Sequence, residues 1–85
     1  MGKNQRPPKG QVMPTLDLHG FKVADVIDAV DRFLVQNQKR GAHKVRIITG
    51  RGTGAVRKEA LDWLKRGGFP YTQENEGSYF VHLGD

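Results

Sequence analysis

A chain of 85 residues holds one compact domain and is too short for two. With 36% hydrophobic and 27% charged residues and a mean hydropathy of -0.61, it has a thin core and a polar surface. Its apolar runs of two or three residues fall far short of the ~20 that a spanning helix needs. The absence of cysteine excludes a disulfide framework and thiolate-ligated zinc, and fits a reducing compartment. Met1-Gly2-Lys3 opens onto polar residues rather than an apolar leader, so no secretory signal and a cytoplasmic location are expected; a monomer is the expected oligomeric state.

The net charge of +5 conceals a stronger asymmetry. Residues 1–13 carry Lys3, Arg6 and Lys9 and no acid. Residues 39–66 set Lys39, Arg40, Lys44, Arg46, Arg51, Arg57, Lys58, Lys65 and Arg66 against Glu59 and Asp62, a net +7. Such a polarised field draws a polyanion to one end of a small domain, or serves only as a solvated basic surface.

In chain order, residues 1–13, with Pro7-Pro8 and Gly10, read as a flexible basic arm, and the folded domain spans 14–85. Leu16-Asp17-Leu18-His19 alternates apolar and polar residues as a half-buried strand does, and Gly20 ends it. Val23, Val26, Ile27, Val30, Phe33 and Leu34 then form one stripe at helical spacing, closed by Lys39-Arg40 and Gly41. Val45 to Thr49 is a short β-branched strand ending at Gly50. The turn Gly50-Arg51-Gly52-Thr53-Gly54 leads into a second helix, with Ala55, Val56, Ala60, Leu61 and Leu64 as its apolar stripe and Gly67-Gly68 as its stop. Pro70 to Glu74 and Ser78 to Leu83 read as a hairpin joined through Asn75-Glu76-Gly77. The order β-α-β-α-β-β predicts a two-layer α/β sandwich: a four-stranded mixed sheet with both helices on one face.

In neighbouring parallel strands, both strand-to-helix turns lie at the carboxyl edge of the sheet, where open α/β sheets bind ligands. The glycine turn is the stronger anion site. Three glycines in five residues let backbone N–H groups face a ligand, and the helix after them presents the positive end of its dipole. Arg51, Arg57 and Lys58 add charge that opposes that dipole until an anion arrives. Neither a P-loop pattern nor a full dinucleotide fingerprint is present, since Ala55 stands where the third glycine belongs. Asp17 and His19 share the strand face opposite Leu16 and Leu18. The imidazole can transfer protons or donate to a phosphate. The carboxylate can orient it, hold a divalent cation such as Mg, or bond the adjacent turn. On spacing alone, a purely structural pair is the favoured reading. His43 reads as a loop residue and His82 as structural. Tyr71 and Tyr79 are candidates for nucleic-acid contact if they lie on the open sheet face.

Taken together, Leu16-Asp17-Leu18-His19-Gly20, Ile48-Thr49-Gly50-Arg51-Gly52-Thr53-Gly54-Ala55-Val56-Arg57 and the closing Gly77-Ser78 resemble the Smr (small MutS-related) domain family from about Thr15 to Leu83. The resemblance implies a fold similar to the C-terminal domain of translation initiation factor three. It also implies nicking endonuclease activity on DNA or RNA, with some members acting at ribosomes. The family's L-D-x-H motif falls on Leu16 to His19, which gives Asp17 and His19 a catalytic role by resemblance. Its [H/T]-G-x-G motif falls on Thr49 to Gly52, where threonine removes a second acid or base. The expected nucleic-acid contacts are Thr49, Gly50, Arg51, Gly52, Thr53, Gly54, Arg57 and Lys58, and the expected metal ligand, if any, is Asp17. A binding module without catalysis, using the same rim, is the alternative function.

Overall fold

The computed structural model describes residues 13–52 and 54–84. The elements follow the expected order: β1 (Thr15–Asp17), α1 (Val23–Lys39), β2 (Lys44–Ile48), α2 (Ala55–Gly67), β3 (Tyr71–Asn75) and β4 (Ser78–His82). They form one four-stranded mixed sheet in the order β1-β2-β4-β3, with β1 parallel to β2 and the other pairs antiparallel. Apart from Met13, the basic arm expected at the N-terminus lies outside the described residues. Among these, no helix is long and apolar enough to cross a membrane.

The core lies between the helices and one sheet face. Val26, Val30 and Leu34 of α1 and Ala60 and Leu64 of α2 pack with Leu18, Val45, Ile47 and Val81. Each stripe follows the 3.6-residue period, but neither stripe is buried from its first residue. Val23 is 41% exposed and Ala55 is exposed as well. Both open their helices at the rim, where the sheet offers little cover and β1 supplies only three residues. Asn37 is an addition to the stripe. It is 5% exposed, and its side-chain amide donates to the Phe33 carbonyl at 2.8 Å. Its own carbonyl accepts from Ala42 N–H, just past Gly41 at φ +81°, so the buried amide and the helix stop are satisfied together.

The strand at residues 16–19 is shorter than its alternation predicts. The Asp17 carboxylate accepts a hydrogen bond from His19 N–H at 2.9 Å, an Asx turn that bends the chain out of the sheet after Leu18. Leu18 still donates to the Ile48 carbonyl at 2.7 Å and is fully buried.

Tyr71 and Tyr79 do not lie on the open face. Tyr79 alternates in phase with fully buried Val81 and points toward the helix layer, where the two rings meet edge to face at 5.9 Å. The aromatic residue on the open face is Phe80, paired with Arg46 across β2. Arg46 also reaches past β4 to Glu74. Its Nε and Nη2 donate to the two carboxylate oxygens at 2.9 and 3.1 Å, and Ser78 Oγ donates to the same carboxylate at 2.7 Å. The edge strand β3 is thereby tied to β2 across the intervening strand.

At its start, β4 lies against the end of β2, with Ser78 opposite Ile48. The Gly77 carbonyl accepts from Thr49 N–H at 2.7 Å and from Gly50 N–H at 3.1 Å. A Cβ on Gly77 would sit 3.2 Å from the Gly50 carbonyl carbon and 3.3 Å from its oxygen. We expect Gly77→Ala to destabilise the fold by about 1 kcal/mol or more, because backbone must yield to the methyl group. Chemical denaturation checks this, with loss of hydrogen-exchange protection expected at Thr49 and Gly50. The Glu74 carboxyl is held below its usual range by the hydrogen bonds from Arg46 and Ser78. A depressed carboxyl contributes stability above its unfolded value of about 4.3, and that contribution is lost as the pH falls through the folded value. Thermal melts should therefore show wild type more stable than Glu74→Gln at neutral pH, with the gap closing on acidification.

Candidate nucleic-acid interface

The two turns that follow β1 and β2 meet at one border of the sheet, as parallel pairing requires. Around them is a recess of about 130 Å³ lined by His19, Gly20, Thr49, Gly50, Arg51, Gly52, Gly54 and Arg57, with Leu18 and Val56 at its base. The approach of the turns is close. A Cβ on Gly50 would lie 3.9 Å from His19 Cβ. Gly50 at φ +82° and Gly20 at φ +83° take left-handed conformations at the two bends, which L side chains rarely adopt.

Several features of the recess favour an anion. Gly54, at φ +92°, is the N-cap of α2 and has no side chain of its own to offer, and the first turn of the helix holds no acid. No carboxylate of the first turn therefore offsets the positive end of the helix dipole. Arg51 is exposed and makes only a loose contact with Glu76, 3.7 Å from Nε to the carboxylate. Arg57 reaches over Gly54, its Nη2 3.3 Å from where a Cβ would stand there, and donates from Nη1 to the Glu76 carbonyl at 3.3 Å.

Not every expected contact is brought to the recess. Lys58 pairs along α2 with Asp62 at 2.9 Å, which raises the lysine pKa and lowers that of the aspartate. Thr49 borders the recess but is only 6% exposed, and its hydroxyl lies 3.3 Å from the Gly50 carbonyl and 3.4 Å from that of Gly77. Thr53 lies outside the described residues. His19 is exposed at the mouth, and Asp17 holds the His19 backbone, not its ring, through the Asx turn. Away from the recess, His43 Nδ1 lies 3.4 Å from the Gly84 carbonyl and His82 Nε2 3.2 Å from the Thr72 hydroxyl, consistent with structural use.

The donor set does not make a protein metal cage. Among the described residues no group of three or more His, Cys, Asp or Glu side chains could hold a metal ion, and one oxygen of Asp17 is already engaged. The hairpin segment Asn75-Glu76-Gly77 is an unanticipated part of the site. It braces the glycine turn through the Gly77 carbonyl and supplies partners for both arginines, while Asn75 Oδ1 accepts from Gly77 N–H at 2.9 Å. Read in sequence, it is a hairpin connector whose Gly77 enters only through the family resemblance; its role at the recess follows from β4 lying beside β2.

Comparison with known proteins agrees with this geometry. Residues 16–83 match the family model described as Smr domain. Endonuclease MutS2 of Maridesulfovibrio salexigens is 41% identical over 61 residues, covering 72% of this chain and 8% of that protein. Endonuclease MutS2 of Levilactobacillus brevis is 40% identical over 76 residues, 81% of this chain and 10% of that protein. The chain thus spans a tenth or less of the length of these relatives. Among solved structures, the Smr domain of Thermus thermophilus MutS2 superposes with a TM-score of 0.76 at 28% identity, covering 86% of this chain and 100% of that one. The SMR domain of NEDD4-binding protein 2 shares the fold with a TM-score of 0.75 at 21% identity, covering 94% and 95% of the two chains. With its two motifs meeting at one rim and the family model spanning nearly all of the described fold, the chain belongs to the Smr domain family.

Proposed function

We propose that this chain binds the sugar-phosphate backbone of DNA or RNA at the recess and nicks it, with His19 as the proton-transfer group. The observation that carries the reading is the meeting of two sequence-distant turns, one bearing an exposed imidazole and the other glycine-rich, with two arginines beside the start of α2. The name endonuclease borne by the MutS2 relatives supports it. In the reaction a water oxygen bonds to phosphorus and the bond from phosphorus to the leaving sugar oxygen breaks. His19 takes the proton of the attacking water or protonates the leaving oxygen, and solvent exchanges the other proton. Arg51, Arg57 and the backbone N–H groups of the turn face the charge that grows on the phosphoryl oxygens. Asp17 is a positioning residue that sets where His19 leaves the strand.

A binding module without catalysis is the second reading, and one observation favours it. Thr49, at the place where the family pattern allows a histidine, is buried and hydrogen-bonded, which leaves a single imidazole at the recess.

Cleavage separates the two readings. On supercoiled DNA, branched DNA and structured RNA, with and without magnesium, His19→Ala should lower the nicking rate by about 10²-fold or more while binding stays near wild type. Asp17→Ala should also slow nicking, whereas Asp17→Asn, which still accepts the His19 N–H bond, should restore most of the rate. Equal rates for wild type and His19→Ala in highly purified protein would remove the catalytic reading and leave the module. In filter-binding titrations across salt, Arg51→Ala and Arg57→Ala should each weaken affinity and reduce the salt slope by about one.

A further inference from the structure

Among the described residues, the sheet face turned away from the helices carries one phenyl ring, with the His82 imidazole two residues along and otherwise polar neighbours. Phe80 sits mid-strand in β4, opposite Arg46 of β2 and Thr72 of β3, and its side chain is half-buried. Both helices pack on the other side, so among the described residues no element covers this face. Two cations stand over the ring, the Lys44 ammonium 4.8 Å from its centroid and the Arg46 guanidinium 5.3 Å away. Their restraints differ. Arg46 is locked by its two-bond pair with Glu74. Lys44 is exposed and makes no ion pair among the described residues, so its flexible stem can swing off the ring at little cost. A shallow groove of about 350 Å³ runs from Arg46, the neighbour of Phe80, to Gly50 and Arg51 of the glycine turn; its one acid, Glu74, is already paired with Arg46. From Gly50 back to Arg46 is about 13 Å along the strand, a span of a few nucleotides.

We propose that this face is a stacking platform for unpaired nucleobases, so that the ligand is a single-stranded segment of DNA or RNA whose backbone continues into the recess. The inference rests on the nucleic-acid reading above and narrows it to strands that expose their bases. An aromatic ring accepts the π-face of any base, and Lys44, displaced by that base, is within reach of the adjoining phosphate. A duplex keeps its base faces within its own stack and offers none without the cost of unstacking. Charge complementarity and continuity with the arginine-lined recess favour this occupant over a second copy of the chain.

The test is fluorescence anisotropy with four labelled probes: a single-stranded DNA, the same sequence as RNA, an abasic version of the DNA strand, and a blunt DNA duplex. Wild type should bind both base-bearing strands more tightly than the abasic strand, a comparison that needs no variant. Phe80→Leu keeps the apolar bulk and should weaken single-strand binding about tenfold, the order of one lost base stack, without changing duplex affinity. Phe80→Trp should restore the binding. Lys44→Ala should lower the single-strand salt slope by about one. Equal affinity for abasic and base-bearing strands, or a Phe80→Leu protein that binds single strands as wild type does, overturns the platform. So does a dimer in sedimentation that Phe80→Leu dissolves, which would make this face a contact between copies. The broader reading fails separately, if wild type shows no saturable binding to any probe. Duplex binding that needs Arg51 but ignores the bases would leave that reading standing and remove only the platform.

Discussion

The Gly77 carbonyl, accepting from Thr49 and Gly50 N–H, is the contact on which the rest of the site depends. A glycine turn is free to wander in proportion to the φ/ψ space its residues can reach, and ordering it costs more than ordering other residues. Here the turn is held at its first residues by two backbone hydrogen bonds from outside the β-α unit. Gly77 has no side chain, so the two backbones approach to a distance at which a Cβ would press on Gly50. What remains to be positioned, Arg51 and the start of α2, then hangs from a fixed point next to His19.

The same arrangement changes the meaning of the basic charge. The +7 segment between residues 39 and 66 is not a uniform cationic surface. Glu74 takes up Arg46, Asp62 takes up Lys58, and Glu76 contacts Arg51 loosely. The exposed Lys58–Asp62 and Arg51–Glu76 pairs contribute little to stability, but all three decide which cations stay available to an anion. Arg46 becomes part of the sheet's bracing. Arg51 and Arg57 remain near the recess, and Lys44 stands over Phe80. An interface with a few well-placed charges and a great deal of backbone matches the needs of a phosphate ligand, which is recognised through N–H groups as much as through side chains.

Much of this was legible before any coordinates. The change from period two to period 3.6 after Gly20, the glycine stops at Gly41 and Gly67-Gly68, and the β-branched Val45–Ile48 run are local signals. Local signals survive folding because each is enforced by hydrogen bonds within a few residues. Elements near the rim were less legible. Val23 and Ala55 carry the right periodicity but lie where the sheet gives little cover, and no periodicity states where a sheet stops. The face that Tyr71 and Tyr79 occupy is not legible in sequence, because a strand's alternation tells which residues share a side but not which side meets the helices.

By itself, the amino-acid sequence determined the kind and order of the elements, the parallel pairing of the first two strands, and so the meeting of the His19 and Gly50–Gly54 turns at one edge. Those follow from periodicity and from the geometry of β-α-β units, which short-range forces enforce. Only the tertiary structure decided that β4 enters beside β2, that Gly77 props the glycine turn, that Asp17 bonds a backbone and not an imidazole, and that Phe80 is the aromatic residue left on the open face. Those facts depend on contacts between residues far apart in the chain, some of them backbone to backbone, and the identity of a side chain carries no record of which distant carbonyl it will lie against.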